Sequence, residues 1–336
     1  MMVKHLRSFF LIVIVSLSIL MTLLGVLSLI HDISFWFIKI LDFPRVQYLI
    51  ISVLCLILLF ILKRNWNIGY ALLVIGLLTA IIIHSIKVSP YFFGEKVVPD
   101  AENLVGDESS VKIIIANVLV TNRSSDKLIA LIDENHPDIV LAMETDDWWA
   151  EQLDVLQKAF PYKMEYPLEN AYGMVLYSKL PLKNSNIKFL KHSDVPSFHT
   201  TMTLPSGQEF SFHGVHPVAP VPSSKYPDNV AKEEVALSKV GNIVAEETLP
   251  SIVAGDFNDV SWSQTTRFFE EQGKLKNVRL GRGLYNSYNA NSRFLRWPLD
   301  HFFVTKEFRL GELERLSHVG SDHFPMIAEF ILPSTD

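Results

Sequence analysis

From Phe9 to Ile30 the chain carries no charged residue, and no other feature restricts its folding so strongly. As a helix rising about 1.5 Å per residue this run is about 33 Å long, enough to cross a hydrocarbon core of roughly 30 Å. Val46 to Leu62 and Ile68 to Ile86 also lack Lys, Arg, Asp and Glu, and as helices they measure about 25 and 28 Å. Three transmembrane helices, about 9–30, 46–62 and 68–86, are therefore expected ahead of everything else. A cleavable leader does not fit the first run. Its apolar part is too long, no convincing small-x-small cleavage site follows it, and two more spans come after.

Lys4 and Arg7 precede the first span, and Lys63 and Arg64 lie between the second and third. Basic residues gather in cytoplasmic loops, so this pattern places the N-terminus in the cytoplasm. Lys39 and Arg45 in the opposite loop keep the bias modest, and Ile33-Ser-Phe-Trp-Phe-Ile38 in that loop reads as an interfacial segment. Three crossings then put everything after Lys87 outside the cytoplasm. The one cysteine, Cys55, falls in the second span, so the rest of the chain cannot use disulfides.

Residues 1–88 thus form a membrane anchor. Residues 89–110, with Pro90, Gly94, Pro99 and Gly106 among several acids, read as a linker. From 111 to 336 the pattern alternates. Strands are expected at Val111–Ala116, Asp138–Met143, Met174–Tyr177, Thr200–Leu204, Glu209–Val215, Ile252–Ala254, Phe302–Val304 and Met326–Ile331. A helix capped by Ser124 or Ser125 has Leu128, Ile129, Leu131 and Ile132 on its apolar face and stops at Pro137. A longer one from about Pro227 to Glu246 carries Val230, Leu237, Val240 and Val244, and another lies near Gln264–Glu271. Many strands with interspersed helices point to one layered α/β domain with a sizeable core.

Of 30 Lys and Arg and 36 Asp and Glu in the whole chain, seven and three lie in the first 95 residues, so the remainder carries 23 against 33, a net charge of −10. A domain that grips a nucleic-acid backbone usually shows a basic patch or stripe, because phosphate neutralisation supplies most of its affinity. That footprint is missing here.

Polar residues recur where the expected strands end. Asn117 follows the first strand, Glu144 the second and His216 the strand ending Gly214-Val215. Asp300-His301 opens the strand near the end, and Ser321-Asp322-His323 precedes the last. The densest such junction is Ser251-Ile-Val-Ala-Gly-Asp256-Phe-Asn258, in which a short buried strand delivers a carboxylate and an amide at alternate positions. Asp256 can accept a proton and Asn258 can donate without carrying charge, a combination suited to attack on an anionic centre such as phosphate. Gly, Asp and Asn are also ordinary turn formers. What sets this junction apart is its company, since loops and strand ends on a rigid scaffold are where function gathers.

With Asn117, Glu144, His216, Gly255-Asp256-Phe257-Asn258, Leu299-Asp300-His301 and Gly320-Ser321-Asp322-His323-Phe324-Pro325 in that order, the chain resembles the endonuclease/exonuclease/phosphatase superfamily over roughly Val111 to Leu332. The resemblance implies a four-layered α/β sandwich (DNase I-like) preceded by three transmembrane helices. It departs from the family pattern at Met143, where Gln is common before the acid, and in Val118-Leu119-Val120-Thr121-Asn122, which lacks the usual glycine. His213-Gly-Val-His216-Pro217 after three spans is most similar to bacterial membrane-anchored members, which implies a multi-pass protein of the bacterial inner membrane.

The resemblance also implies roles. Glu144 and Asn117 suit an oxygen-rich, partly hydrated Mg²⁺ or Mn²⁺ site, with Asp322 a further candidate ligand. Asp256 orients and deprotonates the attacking water, and Asn258 holds a phosphate oxygen. His216 and His323 donate to the developing negative charge, with Asp300 or Asp322 fixing the His323 imidazole. Tyr172, ahead of Gly173-Met174, is either a phosphate contact or a packing aromatic. Ser321, Asp322 and His323 are not a hydrolase triad, because neighbours on extended chain point to opposite sides. Trp148, Trp149, Trp262 and Trp297, with Arg293 and Arg296, either stack on a base, lie against lipid or pack within loops. The expected activity is metal-dependent hydrolysis of a phosphodiester or phosphomonoester by in-line attack of water. Its substrate is a lipid head group, a small phosphoester or a nucleic acid, the last as a DNA or RNA endonuclease or exonuclease. A fold kept for binding after loss of the chemistry is the remaining reading, and the bilayer is the other expected partner.

Overall fold

The computed structural model of the protein describes residues 2–31, 35–63, 65–101, 107–228 and 235–333. The chain divides into two units, Met1–Phe93 and Gly94–Asp336. The first is helical: α1 (Met2–Leu27), the single turn α2 (Trp36–Lys39), α3 (Arg45–Leu62) and α4 (Ile68–Phe93). Of these α1, α3 and α4 are long and apolar enough to cross a membrane. They pack through a narrow seam of Ile14, Met21, Cys55, Leu59 and Leu77, while Phe9, Leu23, Ile61, Leu72 and Ile86 face outwards. An apolar exterior over a small core is the arrangement that lipid, and not water, favours. Close contact rests on small residues: a Cβ on Gly25 would lie 3.0 Å from that of Ala80, as at small-residue helix interfaces in membranes.

Three features of this unit differ from expectation. The first helix stops at Leu27, and the third continues past Ile86 to Phe93, through Pro90; proline there removes a single helical bond. The part of the interfacial segment at Ile33 and Ser34, and Arg64 with it, lie outside the described residues. Arg45 is not a free loop charge. It is fully buried, donates from Nε to Asp42 Oδ1 (2.8 Å) and from Nη2 to both that oxygen and the Ser28 carbonyl, and its Nη1 lies 3.4 Å from His84 Nδ1.

The second unit contains two six-stranded mixed sheets. The first has the order β11-β12-β1-β2-β4-β3 and the second β5-β6-β7-β8-β10-β9. The strands are β1 (Ser110–Asn117), β2 (Ile139–Met143), β3 (Tyr162–Tyr166), β4 (Met174–Ser178), β5 (Leu182–Lys188) and β6 (Ser197–Thr203). They continue with β7 (Glu209–Gly214), β8 (Ser251–Asp256), β9 (Lys276–Asn277), β10 (Asp300–Val304), β11 (Arg309–Arg315) and β12 (Met326–Ile331). Helices α5 (Ser125–Asn135), α6 (Asp147–Leu153), α7 (Ala236–Glu246) and α8 (Gln264–Gln272) complete the unit. Pairing is parallel for β1 with β2 and β7 with β8, and antiparallel elsewhere.

Period-two alternation divides each strand between two faces. Ile113, Ile115, Leu141 and Leu176 of one sheet meet Phe198, Phe212, Ile252, Ala254 and Phe302 of the other in the central core. The opposite faces are covered by helices: Ile114, Val140 and Val175 pack on Leu128, Leu131 and Trp149, and Val253 and Phe303 on Leu237, Val240 and Phe269. The result is the expected four layers, α/β/β/α. Strand β2, covered on both sides, reads Ile-Val-Leu-Ala-Met without a polar residue, as a central strand must.

Strands β3, β5 and β11, which the alternation did not reveal, are the outermost long strands of the sheets and carry charged and polar side chains at exposed positions; edges are kept polar to prevent further pairing. Helix α6 was also unforeseen; Asp146 caps it, accepting from the Trp149 amide at 2.9 Å. The helix expected from Pro227 begins only at Ala236, and Val230 lies outside the described residues. The presumed linker over 89–110 is largely structured. Its first residues finish α4, Val98 is buried in the core of the second unit, and Asp100 bridges Leu310. Gly106 lies outside the described residues.

Candidate active site

The topology brings one end of each key strand to a common mouth. Strands β1, β2, β7 and β8 run towards it; β10 and β12 start from it, with Asp300 opposite Asp256 and Met326 opposite Ile115. Asn117, Glu144, His216, Asp256, Asp300 and His323 therefore converge although they are spread over two hundred residues of chain. Two glycines make the approach possible. Gly255 has φ +145°, and a Cβ there would sit 1.9 Å from the Val215 carbonyl oxygen; on Gly173 it would sit 1.9 Å from that of Thr145. No other residue fits either place.

Asn117 is the joint between the sheets. Its Nδ2 donates to Glu144 Oε1 (2.8 Å) and to Asp256 Oδ2 (3.0 Å), while its oxygen accepts from Leu119 N (3.0 Å). Glu144 takes a second bond from Val120 N (3.3 Å) and adopts φ +61°, an uncommon backbone for a residue with a Cβ. Asp256 is fully buried. Its Oδ1 accepts from Asn258 N (2.8 Å), its Oδ2 lies 3.7 Å from His216 Nε2 and 3.6 Å from His323 Nε2, and its own N–H donates to Met143 Sδ (3.1 Å). Asp300 Oδ2 holds His323 Nδ1 at 2.7 Å. Of the two carboxylates expected to fix His323, Asp300 is the one that does so.

These contacts separate the titration of neighbouring groups. Burial raises Asp256, and the nearby Asp300 charge adds to this, against the pull of His323. Burial also acts upward on Asp300, but the charge of His323 and its hydrogen bond hold that carboxyl below its ordinary range. For His323 burial works downward and is overcome by Asp300 and Asp256, which lift it to about 10. His216 has no such support. Burial and the His323 charge take it down to about 3, and its Nδ1 is buried without a partner. The charged form of His216 is therefore disfavoured, whereas that of His323 is favoured. Burial, with a contribution from Asp322, also pushes Glu144 up despite its bond from Asn117 and the charge of His323.

Carboxyls at Asp256 and Asp300 in contact with a single imidazolium, with Glu144 joined to them through Asn117, carry more negative charge than a buried centre tolerates without protons or a cation. Two of the three are displaced toward the protonated form, so the donor set fits a hard divalent ion. Among the described residues, Asp256, Asp300 and His323 form a group with ligand atoms within 4.8 Å of one another. Asp322 is outside it and accepts from Ser321 Oγ at 3.4 Å. Asn117 turns its N–H groups, not its oxygen, towards the carboxylates.

Other expected residues are placed as follows. One N–H of the Asn258 amide donates to the Pro217 carbonyl (3.0 Å), so the other is the one available to a ligand. The Tyr172 ring lies against His216, 5.0 Å between centroids, but its hydroxyl donates to Pro227 O (3.1 Å) and accepts from Ala219 N (3.3 Å). Tyr172 thus lies beside His216 with its hydroxyl bonded to backbone on both sides. Trp149 and Trp262 are core residues, Trp148 carries the Arg123 guanidinium on its ring, and Trp297 stacks on Tyr288.

Sequence reasoning missed Ser287 and Tyr288, which follow no strand pattern. Ser287 Oγ accepts from Leu299 N and Asp300 N, and Tyr288 bridges His323 through its backbone with the rings 4.9 Å apart. It also left His301 unassigned. His301 receives a bond from buried Arg279, which donates to the Asp300 carbonyl as well, and its Nε2 reaches Asp259 O at 2.8 Å.

Comparison with known proteins agrees with this geometry. No curated protein matches the chain by sequence. Among solved structures, the human Nocturnin catalytic domain with bound sulfate anion is 17% identical with a TM-score of 0.53, over 68% of this chain and 97% of that one. An endonuclease/exonuclease/phosphatase from Bacteroides vulgatus is 18% identical (TM-score 0.53, 67% and 99%), and D. rerio TDP2 complexed with single strand DNA product is 17% identical (TM-score 0.52, 66% and 99%). At these identities the likeness is one of fold. The family model for endonucleases, exonucleases and phosphatases, all hydrolases of phosphoester bonds, matches residues 114–323; the chain belongs to the endonuclease/exonuclease/phosphatase family.

Proposed function

We propose that the protein is a membrane-anchored, divalent-metal-dependent phosphoesterase. The observation that carries this reading is the buried Asn117–Asp256–His323–Asp300 constellation with Glu144 beside it. Asp256, with its carboxyl raised towards neutral pH, can take the proton of an attacking water. His323, kept cationic by Asp300, donates from Nε2 to the negative charge that develops on phosphorus oxygens, and the free N–H of Asn258 adds a neutral donor. Neutral His216 supplies one more N–H or shapes the wall with Tyr172. Glu144, with help from Asp322 and the Asp256–Asp300 side, would hold a Mg²⁺ or Mn²⁺, which would supply Lewis-acid stabilisation of the phosphoryl group. Asn117 ties the acid on the metal side to the acid that handles the proton.

Orientation is supported by the fate of Arg45. Its charge is paired with Asp42 inside the first unit, so the basic residues of this loop that bear on orientation reduce to Lys39, against Lys4, Arg7, Lys63 and Arg64 on the other side. A cytoplasmic N-terminus and an extracytoplasmic catalytic unit, in a multi-pass protein of a bacterial inner membrane, follow. Lipid head groups and small extracytoplasmic esters then suit this unit, with its net charge of −10 over residues 96–336, better than nucleic acid does. The nuclease alternative draws support from the single strand DNA product bound by the similar TDP2 fold.

The test offers the full-length protein in detergent four substrates side by side with Mg²⁺ or Mn²⁺: plasmid DNA, RNA, sphingomyelin and phosphatidylinositol phosphates. Turnover of the lipids alone supports the reading, and exclusive turnover of the nucleic acids replaces it with the nuclease.

A further inference from the structure

The long connection between β9 and β10 does more than carry Ser287 and Tyr288 to the active site. Its middle forms a tip that carries the most exposed large apolar side chain among the described residues of the second unit, Phe294 at 85%, with Leu295 53% exposed and Arg293 exposed beside it. The tip is ordered by its own bonds. Ser292 N donates to Asn289 O (3.1 Å), Leu295 N to Ser292 Oγ (2.9 Å), and Arg296 Nε to Ser292 O (2.5 Å), with the Arg296 guanidinium 4.9 Å from the Phe324 ring centroid. The stem is tied to the chemistry, since Tyr288 bridges both Trp297 and His323. A fixed loop that holds a phenylalanine and a leucine in water is built for contact with something else.

Three observations identify the partner as a lipid surface. First, the tether is short. Helix α4 ends at Phe93 and Val98 is already 2% exposed within the second unit, so the connecting chain spans about 18 Å at most. Second, the chain enters at the foot of this same connection. A Cβ on Gly281 would lie 2.7 Å from the Gly94 carbonyl, and Arg282 Nη2 donates to Val98 O and Asp100 Oδ1, each at 2.5 Å. Third, the mouth has a second apolar flank. Tyr166, at the mouth end of β3, packs edge to face on Phe189, which follows β5, at 5.3 Å; both are more than a third exposed. The β3 and β5 edges lie across the two sheets from β9, so apolar side chains stand on both sides of the active-site mouth. Leu295 has no ring for a base to stack on, whereas an apolar tip beside an arginine matches the boundary between acyl chains and phosphate head groups.

Resting on the reading of α1, α3 and α4 as membrane spans, we propose that the Arg293–Leu295 tip inserts into the lipid head-group region and so holds the active-site mouth against the bilayer that anchors the protein. The substrate class this selects is a phosphoester presented at the membrane surface.

The test uses the full-length chain with Cys55→Ala, reconstituted in vesicles of phosphatidylcholine and phosphatidylglycerol at three to one. A nitroxide is attached to single cysteines at Leu295, at Ile57 on the lipid-facing side of α3, and at Ser206 in the turn at the opposite end of the sandwich. Collision with oxygen and with a water-soluble nickel chelate reports depth. The expected result is oxygen-dominated collision at Ile57, nickel-dominated at Ser206, and a severalfold rise in the oxygen-to-nickel ratio at Leu295 over Ser206, reduced by Arg293→Glu. If Leu295 behaves like Ser206 while Ile57 reports bilayer, the docking proposal is overturned and the anchor stands. If Ile57 also reports water, the anchoring reading fails and takes the proposal with it. A twelve-nucleotide single strand that shields the Leu295 label in detergent, where vesicles do not, would overturn it in favour of a nucleic-acid contact.

Discussion

Replacing Asp300 by asparagine keeps the size and most hydrogen-bonding capacity of the side chain but removes the charge that faces His323 Nδ1 at 2.7 Å. In the wild type His323 rises from 6.5 to about 10 although its burial acts in the opposite direction; that rise corresponds to roughly 5 kcal/mol at about 1.4 kcal/mol per unit. Breaking a buried pair by removing one partner forfeits about 3–5 kcal/mol. Much of the rise is then lost in Asp300→Asn, and burial, opposed only by Asp256 and Asp322, brings His323 back down towards its ordinary range. The sign follows from linkage. The folded value lies above the unfolded one, so the stabilisation is complete below about pH 6.5 and disappears as the pH climbs towards 10. In the variant that window closes, and stability between pH 7 and 9 falls. Turnover at pH 8 should drop about 10²–10³-fold, the scale of losing one charged donor to the transition state. The assay is an NMR titration of the histidine Cε1 protons in the EDTA-treated protein, read beside the pH–rate profile of the metal-loaded enzyme. An unchanged high-pH histidine in Asp300→Asn, or undiminished turnover at pH 8, would refute the reasoning.

Other expectations can be checked with the same preparations. Gly255→Ala places a Cβ on the Val215 carbonyl at positive φ and should destabilise the second unit by more than about 3 kcal/mol, seen as a loss of its thermal transition. Glu144→Gln should raise the Mg²⁺ or Mn²⁺ concentration needed for half-maximal activity by about 10–100-fold, with EDTA silencing the wild type. Arg45→Ala leaves Asp42 and His84 buried around an empty centre and should weaken the helical unit by about 3–5 kcal/mol, measured by unfolding in mixed micelles, without changing turnover in detergent.

The position of the candidate site is legible in the sequence because each of its residues follows or opens a strand whose apolar pattern is strong. Ile252-Val-Ala-Gly, Ile139-Val-Leu-Ala-Met and Ile113-Ile-Ile-Ala leave no doubt about where Asp256, Glu144 and Asn117 emerge, and the topology had only to bring those ends together. Edge strands were not legible for the opposite reason. Residues 309–315 read Arg-Leu-Gly-Glu-Leu-Glu-Arg, whose charges protect an edge and mask the alternation. Local pattern is also silent on hydrogen bonds over long separations. Nothing near Tyr172 in sequence shows that Pro227 takes its hydroxyl, and nothing near Ser287 shows that it holds Asp300. Trp149 and Trp262 look like surface aromatics in polar loops, yet tertiary packing buries both. The histidines His216 and His323 are indistinguishable by residue type. One has a carboxylate on its far nitrogen and the other has none, and only the fold reveals which.

The most direct measurement is a Mg²⁺ titration of bis(4-nitrophenyl) phosphate hydrolysis by the full-length protein in detergent, with Asp256→Asn prepared in parallel and EDTA as the metal-free point. Asparagine still accepts from Asn258 N but cannot take a proton, so fold and metal binding persist while chemistry is lost. The account predicts saturable, metal-dependent turnover in the wild type and a loss of about 10³-fold or more in the variant. Equal turnover in the two proteins, or wild-type hydrolysis indifferent to EDTA, would contradict it.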